Sequence, residues 1–150
     1  MQWLKTPRSW PHIFTGALGL VLVYVFQDHL NLYNALFGDG HWKMPYVGTD
    51  YLAEGQEWPF VVNKIFRYLL NDLFSIAIIH GFFLKKSYTR FAFVLMAFGL
   101  LFLLPLYFYF YLSAIPGLSS MVSHLHRVVL NPVLMMLLIP ALWYQEQQQK

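Results

Sequence analysis

Apolar residues run along the chain in four long stretches, set apart by short basic segments and one long polar loop. Residues 13–26 carry no charge and predict a first helical span over 10–27, short for a bilayer core of about 30 Å. Lys5, Arg8 and the tryptophans beside them resemble the front of a signal peptide. No small-x-small site follows the apolar run, which ends Tyr24-Val25-Phe26-Gln27, so an uncleaved span is expected. Gly16 and Gly19 offer a neighbouring helix a small-residue face. Residues 28–59 form the polar loop, with Asp28, Asp39, Asp50, Glu54 and Glu57 against Lys43 alone. It is long enough to be functional, and Trp42, Tyr46, Tyr51 and Trp58 are expected to lay it on a membrane interface.

The second span is predicted over 59–84, with Pro59 in its first turn, and a tight basic loop of Lys85, Lys86 and Arg90 follows it. The third, 91–112, is uncharged throughout. Pro105 should free the Leu101 carbonyl and kink it, while Tyr107, Tyr109 and Tyr111 form an aromatic belt. The fourth, 119–144, opens on serines and is interrupted by Asn131-Pro132. From Pro132 to Tyr144 is only about 20 Å of helix, so residues 123–130 must be helical too, with a kink or break at Pro132.

Wound at about 100° per residue, the second span divides in two. Asn63, Lys64, Arg67, Tyr68, Asn71, Asp72 and Ser75 share one half; Ile65, Phe66, Leu69, Leu70, Leu73, Ile76 and Ala77 fill the other. A charged face entering a bilayer must be covered by protein or by a wet cavity. In the fourth span His124, Arg127 and Asn131 recur at i, i+3 and i+7, which puts His126 on another face. The second and fourth spans start on the same side, so their polar faces should meet at matching depth. Asp72 is the sole acid in any span and stands about 140° round the helix from Arg67. Arg127 is its expected partner. The candidate binding residues are Asn63, Arg67, Asn71, Asp72, His124, Arg127 and Asn131. They could glue a bundle together through hydrogen bonds. They could bind a lipid phosphate, a peptide carboxylate or a partner protein, since arginine suits anions. Or they could support acid–base chemistry, with Ser123 or Tyr68 as the best nucleophile on offer. His80 reads as an interfacial residue.

Composition narrows the class. Of 150 residues, 58% are hydrophobic and 11% charged, against about 25% charged in soluble domains, which points to one integral membrane domain. The absence of cysteine excludes disulfides, a thiol nucleophile and thiolate metal sites. Net charge is +3, but the basic residues sit at span edges, which argues against nucleic acid as a partner. Asp39, His41, Asp50 and Glu54 match no metal-ligand spacing, so no metal or cofactor is expected. Lys5, Arg8, Lys85, Lys86, Arg90 and Lys150 all fall on one side of the four spans. By the positive-inside rule that side is cytoplasmic. The expected fold is all-α: an integral membrane four-helix bundle, N-in and C-in, with a long external loop between helices 1 and 2.

FVVNKIFRYLLNDLFSI, the basic loop, LLPLYFYFYL and HLHRVVLNPVLMMLLIPALWYQ together resemble a family over residues 60–145. It is that of the small membrane proteins accompanying exosortases in Bacteroidota, the exosortase F or X system-associated proteins. RYLLND and HR-x3-NP are the more specific parts of the likeness. Exosortases are polytopic and use Cys, Arg and His near the outer membrane face. This chain has Arg67, Arg127 and His124 without the cysteine. The resemblance implies a non-catalytic accessory of envelope protein sorting, multi-pass in the bacterial cytoplasmic membrane among its lipids. Its partner would be a polytopic exosortase-like protein or that protein's substrate.

Overall fold

The computed structural model describes residues 8–27, 29–37, 55–113 and 117–148, of which 87% are helical and none forms a strand. The elements are α1 (Trp10–Val25), α2 (Leu32–Phe37), α3 (Glu57–Phe83), α4 (Lys86–Phe98), a π-helical turn (Gly99–Leu103), α5 (Leu104–Leu112), α6 (Ser119–Leu130) and α7 (Val133–Gln148). The loop residues Asp28, Asp39, His41, Trp42, Tyr46, Asp50, Tyr51 and Glu54 lie outside the described residues. So the expectations for them, metal ligation and a berth on the membrane interface, lie outside as well. Trp58 is described, and it is exposed. Helix α2, inside the stretch expected to be loop, has no counterpart in the predicted spans.

Helix α3 is the centre, and every other helix touches it. Its most extensive partner is α1, which runs antiparallel to it. The Ser9 N–H donates to the Gly81 carbonyl at 2.9 Å, and Ile13 lies over Gly81. Further along, Gly16 sits on Phe74 and Ile78, and Gly19 on the Phe74 ring. A Cβ at Gly16 would stand 2.6 Å from the Phe74 carbonyl oxygen, a backbone atom that cannot swing aside. The small-residue face is therefore used: the glycines let the two backbones close on each other.

Leu84, in the left-handed region at φ 51, turns the chain from α3 into α4. Beside it Lys85 Nζ meets Glu146 Oε1 at 2.7 Å and ties down the end of α7. That carboxylate holds the Lys85 ammonium above its ordinary range. Helix α4, the π turn and α5 continue as one helix, Lys86–Leu112. Just before Pro105, where a kink is expected, the hydrogen-bond register widens and the Leu104 N–H reaches the Gly99 carbonyl. The break predicted at Pro132 is present. Asn131 is extended (φ −96, ψ 148), and α6 and α7 meet at a bend of 56°.

Polarity is arranged inside out. Asn63, Lys64, Asn71, Asp72 and Ser75 are buried, while Phe14, Val21, Leu101, Phe102 and Leu137 point outward and exposed. Two apolar clusters flank the polar stripe, one round Ile79, Ala92 and Met135, the other round Phe60, Leu104, Tyr107 and Leu130. Two helices, Glu57–Phe83 and Lys86–Leu112, are long and apolar enough to cross a membrane, and α6 with α7 makes a third if the bent pair counts as one. Helix α1, at 16 residues, is apolar but shorter.

The α1–α3 contact gives a direct test. Gly16→Val should lower stability by about 1–3 kcal/mol through overpacking, whereas Ala17→Val, on the exposed side of α1, should change little. Thermal unfolding of the two variants in detergent checks the difference.

Candidate functional site

The polar side chains of α3 form three levels along one stripe. At the first, Asn31 starts α2, its Oδ1 accepting the Asn34 N–H at 3.1 Å in the manner of a helix cap. The same oxygen accepts from Asn63 Nδ2 at 2.9 Å, and Asn63 Oδ1 accepts the Tyr33 N–H at 3.1 Å. Both ends of the fully buried Asn63 amide are spent on holding α2 to α3.

The second level is cationic and aromatic. Lys64 is 1% exposed, and its Nζ lies 5.2 Å from the centroid of the Phe60 ring. Tyr111 stacks on Phe60 at 4.5 Å, and Tyr107, wholly buried, packs beside it. Arg67, one turn on from Lys64 and half-buried, brings its charge to bear on Lys64 and on Tyr107. From α6, His126 Nδ1 meets the Tyr107 hydroxyl at 3.1 Å, and the charges of Lys64, Arg67 and Arg127 all bear on its imidazole. Within 4 Å of Lys64 or Arg127 the described residues place no carboxylate, whereas Lys85 and Glu146 form an ion pair.

At the third level Asn71 Nδ2 donates to the Leu130 carbonyl at 2.7 Å, and Ser75 Oγ donates to the Asn71 carbonyl at 2.8 Å. The Tyr68 hydroxyl donates to the Met96 carbonyl at 2.9 Å, in the space left by Gly99 at the π turn. Asp72, 5% exposed, lies beside the Tyr68 hydroxyl. Both border a crack of about 10 Å³ that also meets Val128, Val129 and Asn131.

These positions sort the sequence-derived candidates. Asn63, Asn71 and Asp72 are interior, Arg67 is half-buried, and Asn131 shares the crack with Asp72. The Asp72–Arg127 ion pair is not formed. Helix α3 and the end of α6 do lie level with each other, joined by the Asn71–Leu130 bond, but α6 is turned the other way. Val122, Leu125, His126, Val129 and Leu130 face inward, which leaves Arg127 and His124 exposed. The inward histidine is thus His126, the one expected to point away. Its spacing from Val122, Val129 and Leu130 already put it on the apolar arc. His124 instead borders an apolar groove of about 520 Å³ with Met121, Leu125 and Val128. Tyr107 is interior rather than part of a belt, whereas Tyr109 is exposed. Lys64 shared the polar half of the wheel with the candidates and should have stood among them. His80, half-buried, bonds Thr89 Oγ1 through Nδ1 at 2.9 Å.

Among the described residues the stripe and its cover define an all-helical architecture with two to three helices apolar enough to cross a membrane and a polar interior. Compared with family models, curated proteins and solved structures, the chain has no match.

Asn71→Leu should cost about 1–3 kcal/mol, because it strands the Leu130 carbonyl at a buried break in the backbone. Arg127→Ala, at an exposed position, should stay within about 0.5 kcal/mol of the parent. Chemical unfolding of both proteins separates these outcomes.

Proposed function

We propose that this chain is a non-catalytic accessory protein of the bacterial cytoplasmic membrane that binds an anionic group carried by a polytopic partner or its substrate. In this reading the anion meets Lys64 and Arg67. The partner is exosortase-like, as the resemblance of residues 60–145 suggests. The observation that carries the reading is the Lys64 ammonium, buried on the Phe60 ring with no carboxylate within 4 Å among the described residues. A desolvated cation–π contact contributes about 2 kcal/mol, while removing an ammonium from water costs several. An anion delivered from outside the described residues closes that gap. Arg67, one turn away on the same stripe, supplies the forked donor that carboxylate and phosphate groups prefer. Against catalysis stands the commitment of the Tyr68 hydroxyl, one of two candidate nucleophiles, to the Met96 carbonyl.

The topology that goes with this reading has four spans, both termini cytoplasmic and the acidic loop external, with α1 as the short first span and α6–α7 as the bent fourth. Single cysteines at positions 50 and 87 of this cysteine-free chain should be labelled from opposite sides. Labelling of both by one impermeant reagent in intact cells would refute the four-span arrangement.

The binding role is tested with Lys64→Met and Arg67→Ala. Lys64→Met removes a charge from the interior and should leave the protein at least as stable. Both variants should lose the partner on co-purification from mild detergent. Full retention of the partner by the double variant would sink the proposal. Loss of a tightly bound anionic lipid, with no protein partner ever retained, would favour a lipid-binding role for the same residues.

A further inference from the structure

A second feature of the stripe is independent of the cationic level. Asp72 is almost fully buried and has no cation within 4 Å among the described residues. It borders the small crack where α6 gives way to α7. The backbone there is short of donors. Pro132 has no N–H, so the Val128 carbonyl lacks the donor that a continuing helix would supply. The Val133 N–H goes to the Asn131 carbonyl at 2.7 Å, which takes away the helical donor of Val129. Leu130 escapes because Asn71 caps it. Val128, Val129, Asn131, Tyr68 and Asp72 all line the same crack. The side-chain polar groups they bring are a carboxylate, a carboxamide and a phenol that stands between the Met96 carbonyl and the Asp72 carboxylate. The partial negative charge of a helix C-terminus adds to them.

We propose that this crack binds one dehydrated monovalent cation, with sodium as the fitting ion. The volume, about 10 Å³, admits one water-sized occupant. The donors are oxygens, which suit hard cations, and a broken helix offering its C-terminal carbonyls is a recurrent way to hold sodium inside a membrane. Charge decides the valence. One carboxylate neutralises one positive charge, whereas a divalent ion would leave a net charge buried among Leu95, Leu103, Leu134 and Met135. The ion joins Asp72 on α3 to the hinge between α6 and α7, so its binding stiffens the break.

The experiment uses the whole chain in detergent and follows unfolding in sodium, potassium and choline chloride at equal ionic strength. Sodium should raise the midpoint by about 3 °C or more over choline, increasing with concentration. Asp72→Asn should abolish the difference. Asn131→Ala should keep the folded state and move the response to higher sodium, so the test stands even where Asp72→Asn fails to fold. Identical midpoints in all three salts would overturn the site, since an ordered water or a protonated carboxyl gives no preference among the ions. A sodium response unchanged in both variants would overturn it equally. Lys64→Met leaves the crack intact and should keep the response, which separates this outcome from failure of the anion-binding reading.

Discussion

Five polar side chains on one helix, Asn63, Lys64, Asn71, Asp72 and Ser75, are withdrawn from solvent, and the rest of the fold answers to that fact. A buried polar group without a partner costs about as much as a single strong contact contributes, so each neighbour must bring something specific. The start of α2 brings Asn31 to Asn63. The aromatic end of α5 brings Tyr107 and Tyr111 round Phe60, on whose ring Lys64 rests. Helix α4 brings the Met96 carbonyl to Tyr68, and the end of α6 brings the Leu130 carbonyl to Asn71. Further along α3, beyond the polar levels, α1 closes in through glycine on Phe74, Ile78 and Gly81.

Both irregularities of the backbone occur where this stripe meets it. The π turn at Gly99–Leu103 lies against Tyr68, and the break at Asn131 lies against Asn71 and Asp72. A regular helix spends its carbonyls on itself, so a side chain that needs an acceptor finds one most readily where the helix is interrupted. In an apolar surrounding the converse also holds: an interrupted helix needs a side-chain donor, because no water is there to serve. Polar side chains on α3 and irregular backbone on its neighbours therefore satisfy each other. The outward faces, with Phe14, Leu101 and Phe102 exposed, have no such requirement.

Much of this was legible in the chain. The two-faced wheel of residues 63–77 located the polar stripe, the span limits fell close to α3, and Asn131-Pro132 announced the break. The level at which α6 meets α3 was legible because rise per residue is fixed. Rotation of α6 was misjudged because it was inferred from polarity, with His124 and Arg127 taken as the inner face. Leu125, Val129 and Leu130 outweighed them and turned the helix about its axis, carrying His126 inward. Helix α2 was missed because six residues are too few for a periodic signal. At Pro105 proline dictates a missing bond, and the π turn beside it reflects what occupies the space, here the Tyr68 hydroxyl against Gly99.

Lys64 and Asp72 are opposite charges on one stripe, yet they do not pair. Eight residues of helix separate them by about 12 Å, three times the reach of an ion pair. At an effective dielectric near 20 their attraction is about 1.4 kcal/mol. That is well below the several kcal/mol that withdrawing either charge from water costs. The pull of one on the other is therefore too weak to hold either charge in place. The basic groups of the stripe, Lys64 and Arg67, and its one acid, Asp72, thus stand at separate levels rather than as one salt bridge drawn out. The residual attraction still links them: an anion at Lys64 screens the positive charge that an ion beside Asp72 would otherwise feel. Should both levels bind as proposed, their occupancy is mutually favourable, although no side chain connects them.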